Sequence, residues 1–412
     1  MSVYLVGVGM TKFGQLPDSS VKDITTAAVR AALADAGIGT EAIEAAYFAN
    51  ATQGALEGQY MIPGQVALRE MGIEGVPVVN VENACASAST AFALACKDIR
   101  AGDASVVLAV GAEKMLTEDK QKNMAVFDGA IDVNGRDATL ERLLALSDGF
   151  ETPPEALVQN GQRSIFMDVY AAIAKHHMKL HGTTQRQMAA VAAKNHRHSV
   201  YNELSQFRNS FTIDEVLAAR GISWPLTLPM CSPISDGGAA AILCSSDALD
   251  RFDSSRAIKV AASVIATGSD RDPDDGERHV TRLASQKAYE RAGVGPDDMS
   301  FAEVHDASAI AEILQTENLG FCPIGEGGPL AESGATAVGG RIPVNPSGGL
   351  ESKGHPIGAT GLGQIYELAV QLRGEAKERQ VENARFGIAE NGGGMHGIEE
   401  AVACVTILER YN

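Results

Sequence analysis

The sequence predicts an α/β protein built from two related halves. Three observations carry that reading. The chain has 412 residues, more than one ordinary hydrophobic core holds. Ala31–Gly39 and Lys287–Gly295 each read as an amphipathic helix closed by a glycine, followed by a loop and a short strand, Glu44–Asn50 and Ser300–Asp306. The same 256-residue step separates Gly37 from Gly293 and Asn50 from Asp306. Further on, Cys85–Thr90 overlays His355–Thr360 at a step of 270, and small residues lead into a helix in both copies. The overlay puts Cys85 and His355 at matching turns of the two halves.

The elements follow in order. Met1–Met10 opens on a short apolar strand. Val76–Val81 is an apolar run that reads as a buried strand, and Ala91–Cys96 reads as a buried helix. Cys85 falls between them, at a strand-to-helix junction where the helix dipole favours thiolate. Small neighbours on both sides leave room for an approaching group, which suits a nucleophile. A long insertion occupies about 116–230. It holds a helical region over 162–181 and a second over 185–201, with Lys194, His196, Arg197 and His198 crowded at a solvated end. Asp236–Leu243 returns to strand character. The first half spans 1–255 and the second 256–412, and the acidic run Ser269–Gly276 reads as a solvated loop.

Composition narrows the function. Hydrophobic residues make up 45% of the chain and there is one Trp, the profile of a soluble α/β protein. A net charge of −18 argues against nucleic acid or an anionic membrane as the main partner. No apolar run reaches membrane-spanning length, no basic leader opens the chain and no peroxisomal address ends it, so a cytoplasmic protein is expected. The six cysteines, at 85, 96, 231, 244, 322 and 404, include no CxxC pair. Free thiols are expected, with the five besides Cys85 serving as small core residues, and no metal site.

Four segments concentrate the chemistry: the Cys85 turn, His305–Ser308, Asn345–Gly361 and Glu390–Gly394. In this order they resemble the thiolase superfamily, and the sterol-carrier-protein-x branch most closely. Lys194–His198 and Cys231–Ala240 are typical of that branch, and Gly354–Gly361, reading GHPIGATG, is the most specific motif. The resemblance covers essentially the whole chain. It implies a five-layered αβαβα arrangement with a loop-domain insertion, and a dimer or dimer of dimers built on the N-terminal half's sheet. Some members of the branch pair with a small zinc-ribbon and OB-fold subunit. Coenzyme A and its acyl thioester would be co-substrates, with no permanently bound cofactor.

The resemblance also implies roles. Cys85 would carry the acyl group and His355 would take its proton. One oxyanion hole would use His355 and His305, the other the backbone N–H groups of Cys85 and Gly392. The sequence departs from the family at the second cysteine. Glu390 stands two residues before the triple glycine, and Ala307 follows the His-Asp pair. Glu390 is therefore expected as the acid/base, its pKa raised by burial and by like charge. Three activities remain open: thiolase chemistry on 3-oxoacyl-CoA, an aldolase-type carbon–carbon lyase acting on a CoA ester, and a non-catalytic acyl-CoA-binding subunit. The remaining histidines, 176, 177, 181, 196, 198 and 279, read as surface or structural.

Overall fold

The computed structural model describes residues 1–153 and 164–411. The start of the helical region expected from 162 lies outside the described residues. Nine strands form the main sheet: β1 (Val3–Met10), β2 (Ala45–Ala49), β3 (Val78–Val81), β4 (Val106–Glu113), β5 (Gly237–Ser245), β6 (Ile258–Thr267), β7 (Phe301–Glu303), β8 (Phe386–His396) and β9 (Glu399–Arg410). Their order is β3-β2-β4-β5-β1-β6-β9-β8-β7. The helices that matter here are α1 (Val21–Ala36), α2 (Ser87–Ala101), α3 (Ile165–His181), α4 (Gln185–Ser199), α5 (Val280–Ala292), α6 (Ala309–Asn318) and α7 (Thr360–Leu372).

The duplication is explicit in the pairing. In the first half β2 runs parallel to β4, and β4, β5 and β1 pair antiparallel in turn. In the second half β7 runs parallel to β8, and β8, β9 and β6 pair antiparallel in turn. β3 lies parallel to the outer side of β2, and Val344 makes a parallel bridge to Ala302 in the matching place beside β7. Only two residue pairs, Tyr4–Lys259 and Leu5–Ile258, join the half-sheets.

The repeated helix endings share one geometry. Gly37 ends α1 at φ 70° and Gly293 ends α5 at φ 71°, the left-handed conformation that glycine adopts without a Cβ clash. A capping box between Ser20 and Asp23 starts α1. α1 covers one half-sheet and α5 the other, while α2 and α7 pack against each other between the two half-sheets. Five layers result. Phe92, Ile99, Leu362 and Leu368 meet in the central core, which joins both halves. Burying each such side chain contributes roughly 1.5–3 kcal/mol. Among the described residues no helix is long and apolar enough to cross a membrane.

Two expectations need correction. The run ending at Val81 is the open edge of the sheet rather than a buried strand: β3 has a partner only on one side, and Val79 and Asn80 are exposed. The cluster at the end of α4 is not solvated either. Lys194, His196 and His198 are buried, and only Arg197 faces solvent. The Lys194 ammonium pairs with Glu312 and donates to the Val344 carbonyl at 2.8 Å, while His198 Nδ1 meets the Asn345 carbonyl at 3.0 Å. Lys194 and His198 at this helix end face a buried network on α6 and the loop before the 345–351 segment and at its start, which takes the place of water for them, while His196 Nε2 meets the Pro229 carbonyl at 3.2 Å.

Candidate active site

The two matching turns meet. Cys85 lies in the 3₁₀ turn Ala84–Ala86 that leads into α2, and His355 precedes α7. Ala84 has φ 47°, unusual for a residue with a Cβ and a conformation that costs roughly 1–3 kcal/mol. The Ser87 hydroxyl holds the elbow in place. It accepts from the Asn83 N–H at 2.8 Å and donates to the Ala84 carbonyl at 2.6 Å. The elbow presents Cys85 to a cavity of about 590 Å³ whose walls are largely apolar, including Met115, Phe127, Phe166, Ile234 and Met395.

Cys85, His305 and His355 all line this cavity, and one donor atom from each lies within 4.8 Å of the other two. The imidazoles stand edge to face with centroids 5.1 Å apart. The tautomer of His355 follows from its neighbours. The Thr360 hydroxyl donates its one hydrogen to the Pro356 carbonyl at 3.0 Å. It must therefore accept the His355 Nδ1–H across 2.7 Å, which leaves Nε2 as the basic nitrogen. Burial, aided by the His305 ring, holds the His355 pKa well below the usual histidine value. Burial lowers His305 to about 4. Both rings are neutral at pH 7.

Neither ring nitrogen of His305 has a partner among the described residues. A buried imidazole left open in this way is suited to a substrate oxygen or a water. The Cys-His-His composition also suits a metal ion. However, a ligating histidine passes its second N–H to an acceptor, and His305 has no such acceptor among the described residues.

The thiol differs from expectation. Desolvation pushes Cys85 up to about 12, and the backbone N–H groups of Cys85 and Gly394 oppose this only in part. Apolar surroundings outweigh the helix start, so the resting sulfur is a thiol and needs a base.

The glycine strand also needs correction. Gly392 sits inside β8 opposite Ala403 and is not part of the cavity wall, whereas Gly393 and Gly394 are. The register of β8 brings the third glycine of the triplet to the sulfur, not the first. Glu390 is displaced in the same sense. It is fully buried but does not line the cavity. Its carboxyl accepts from the His305 N–H at 3.0 Å and from the Thr281 hydroxyl at 3.4 Å. These bonds turn it behind His305 and away from the substrate space.

The expected rise in its pKa is nevertheless present. Desolvation, with the Glu400 charge next, lifts Glu390 to about 8. This has a consequence for stability. Below the unfolded value, about 4.3, both states hold the proton. Between there and pH 8 the unfolded chain ionises while the native site keeps its proton, so stability falls as pH rises. The loss is on the order of 3 kcal/mol by pH 7. Glu390→Gln should remove this slope. Urea unfolding at pH 5 and pH 8 should show the variant gaining on the parent at the higher pH, and a constant difference contradicts the assignment.

Several residues have positioning roles that the sequence did not assign. Glu113, at the end of β4, accepts from Asn50 Nδ2 at 2.8 Å and from the Gly358 N–H at 2.9 Å. It thus ties the first half to the His355 loop. Asp306 accepts from the Leu350 N–H at 2.7 Å, and Ser235 accepts from the His355 N–H at 2.8 Å. Cys231, expected as a core residue, also lines the cavity.

A cysteine, two histidines and a glycine strand gathered at the join of two duplicated α/β halves give the chain the architecture of one class of acyl-transfer proteins. The chain belongs to the thiolase family, and its enzyme class is acyltransferase. The thiolase N-terminal domain model matches residues 3–215, and the thiolase C-terminal domain-like model matches 266–410. An acetyl-CoA acetyltransferase of Methanothermobacter thermautotrophicus is 37% identical, over 96% of this chain and 97% of its own length. Human sterol carrier protein 2 is 36% identical, over 94% and 69%. The benzoylsuccinyl-CoA thiolase subunit BbsB of Thauera aromatica is 33% identical, over 92% and 91%. Human mitochondrial 3-ketoacyl-CoA thiolase shares the fold with a TM-score of 0.70 at 17% identity, covering 100% of this chain and 99% of that one. A structure described as an Ltp2-ChsH2(DUF35) aldolase shares it with a TM-score of 0.77 at 22% identity, covering 99% and 97%.

Proposed function

We propose that the protein is a thiolase acting on acyl-CoA and 3-oxoacyl-CoA thioesters through an acyl group carried on Cys85. The observation that carries this reading is the convergence of Cys85, His305 and His355 within 4.8 Å, with the His355 tautomer fixed for proton abstraction. His355 Nε2 takes the thiol proton as the sulfur attacks the thioester carbonyl. The resulting imidazolium is then a donor, and it protonates the departing coenzyme A thiolate. The backbone N–H groups beside the sulfur hold the tetrahedral oxyanion, and His305, together with His355 whenever its Nε2 carries a proton, holds the enolate oxygen of the second thioester. Coenzyme A enters as co-substrate. The apolar walls favour a hydrocarbon-rich acyl group.

A second reading, an aldolase-type lyase, is favoured by one feature: neither position 307 nor position 390 carries a cysteine. Product analysis separates the two. The thiolase reading predicts that cleavage of a 3-oxoacyl-CoA requires free coenzyme A and yields two acyl-CoA thioesters. Cleavage to a free aldehyde or ketone without coenzyme A sinks it.

The protein also pairs with a second copy of itself through the open edge of β3. Val79 is exposed there, and nearby Tyr60 and Met61 are each 76% exposed, an apolar and unpaired edge of the kind that proteins normally cover. Sedimentation at twice the chain mass is expected, and a monomer at micromolar concentration refutes it.

A further inference from the structure

With Glu390 turned away, the carbon–carbon step lacks a proton carrier. We propose that Glu400 is that group, the acid/base that exchanges a proton with the α-carbon of the CoA-bound acyl unit. The inference rests on the thiolase reading for the reaction, but its test reads the α-carbon directly.

The geometry begins on β8. Glu390 and Gly392 share one face of the strand, since extended side chains alternate with a period of two, and Gly394 at φ 60° leaves that extended conformation. Gly394 touches the Cys85 elbow, and a Cβ there would lie 3.7 Å from the Ala84 Cβ. Gly392 lies between Gly394 and Glu390 and leaves its own place on that face empty. The Glu400 side chain fills the place: a Cβ on Gly392 would lie 2.8 Å from the Glu400 Cγ and 3.3 Å from its Oε1. The register pairs Glu400 with Met395, so the carboxyl reaches β8 from the neighbouring strand. Its carboxyl therefore fills the place beside Gly392, between Glu390 and the Gly394 N–H that meets Cys85. Unlike Glu390, it lines the cavity with Cys85, His305 and His355.

The carboxyl is oriented as well as placed at the cavity wall. Gln315 Nε2 donates to its Oε1 at 3.2 Å. His279 Nε2 lies 3.4 Å from its Oε2. His279 Nδ1 is met by the Thr281 N–H and the Asn318 amide, both at 3.2 Å, so the ring hydrogen sits on Nε2 and points at Glu400. Tyr170 lines the same cavity, and its phenol is raised by burial and then by the charges of Glu400 and Cys85, in that order. Its phenol thus lies within electrostatic reach of both groups.

The step balances. In cleavage, the Cys85 thiol gives its proton to His355 and the sulfur bonds to the 3-oxo carbon. The bond between that carbon and the α-carbon breaks, and its electron pair stays on the α-carbon as the enolate. Glu400 in its acid form then delivers a proton to the α-carbon. The products are the acyl-Cys85 thioester and a shortened acyl-CoA. The thiol has lost one proton and the α-carbon has gained one, so the proton left on His355 replaces Glu400's through solvent. In condensation every transfer reverses.

The test compares wild type with Glu400→Gln by two readouts on the intact protein: mass of the acyl adduct on Cys85, and deuterium uptake at the α-carbon of an acyl-CoA in D2O. The variant is expected to acylate within about threefold of wild type while α-exchange and carbon–carbon cleavage fall by roughly 10²–10⁴. Adduct formation also reports that the variant is folded. Exchange within about threefold of wild type overturns the proposal. So does loss of acylation in step with exchange, which marks Glu400 as structural. If wild type exchanges the α-proton without forming an adduct, the acyl-enzyme reading fails, and the effect of the variant on exchange still decides the role of Glu400.

Discussion

Cys85→Ala should abolish acyl transfer, with a loss on the order of 10⁴–10⁶ in turnover, as when the nucleophile of a covalent mechanism is deleted. No other described cysteine can substitute. Cys96, Cys244 and Cys404 are buried in the core, and Cys322 is not part of the cavity wall. Cys231 does line the cavity, but its thiol faces the Thr227 carbonyl at 3.5 Å and burial raises its pKa further. The fold should tolerate the change. Cys85 is partly open to the cavity, and its sulfur fills no closed core. The melting temperature should move by only a few degrees, which separates lost chemistry from lost structure. Residual activity within tenfold of wild type contradicts a covalent role.

His355→Gln should slow acylation by roughly 10²–10⁴ and change how the rate depends on pH. The sign follows from two groups. With Cys85 at about 12, only about one sulfur in 10⁵ is ionised at pH 7 without help. In wild type, His355 is neutral and basic throughout the neutral range because burial keeps its pKa low. The proton passes within the pair, so the rate should be nearly flat from pH 6.5 to 8.5. In the variant, acylation depends on the free thiolate, which grows tenfold per pH unit below the thiol pKa. A variant with a flat profile identifies another base. The same logic makes Thr360 a positioning residue, since its hydroxyl fixes which nitrogen of His355 is free.

What the sequence disclosed was local or repeated. The helix–glycine–strand echo around Gly37 and Gly293 survives because left-handed helix ends demand glycine, and it leads directly to the duplicated sheet order. The Cys85 and His355 overlay also holds in space, because equivalent turns at the heads of α2 and α7 meet where those helices pack. Long-range pairing was not legible. Nothing in the run up to Val81 says that β3 is an edge, because that depends on which strands lie beside it. Nothing near Lys194 announces Glu312 more than a hundred residues away. The glycine triplet shows the same limit. Sequence identifies Gly392–Gly394, but the register of β8 against β9 decides that Gly394 faces the sulfur and that Glu400, rather than Glu390, enters the cavity.

The central claim is that Cys85 carries the acyl group. Intact-protein mass after brief incubation with an acyl-CoA tests it most directly. The account predicts a mass gain of one acyl group, mapped to the peptide containing Cys85, absent in Cys85→Ala and released by added coenzyme A. Turnover by a wild-type protein that shows no adduct under rapid quench, or an adduct that persists in Cys85→Ala, contradicts it.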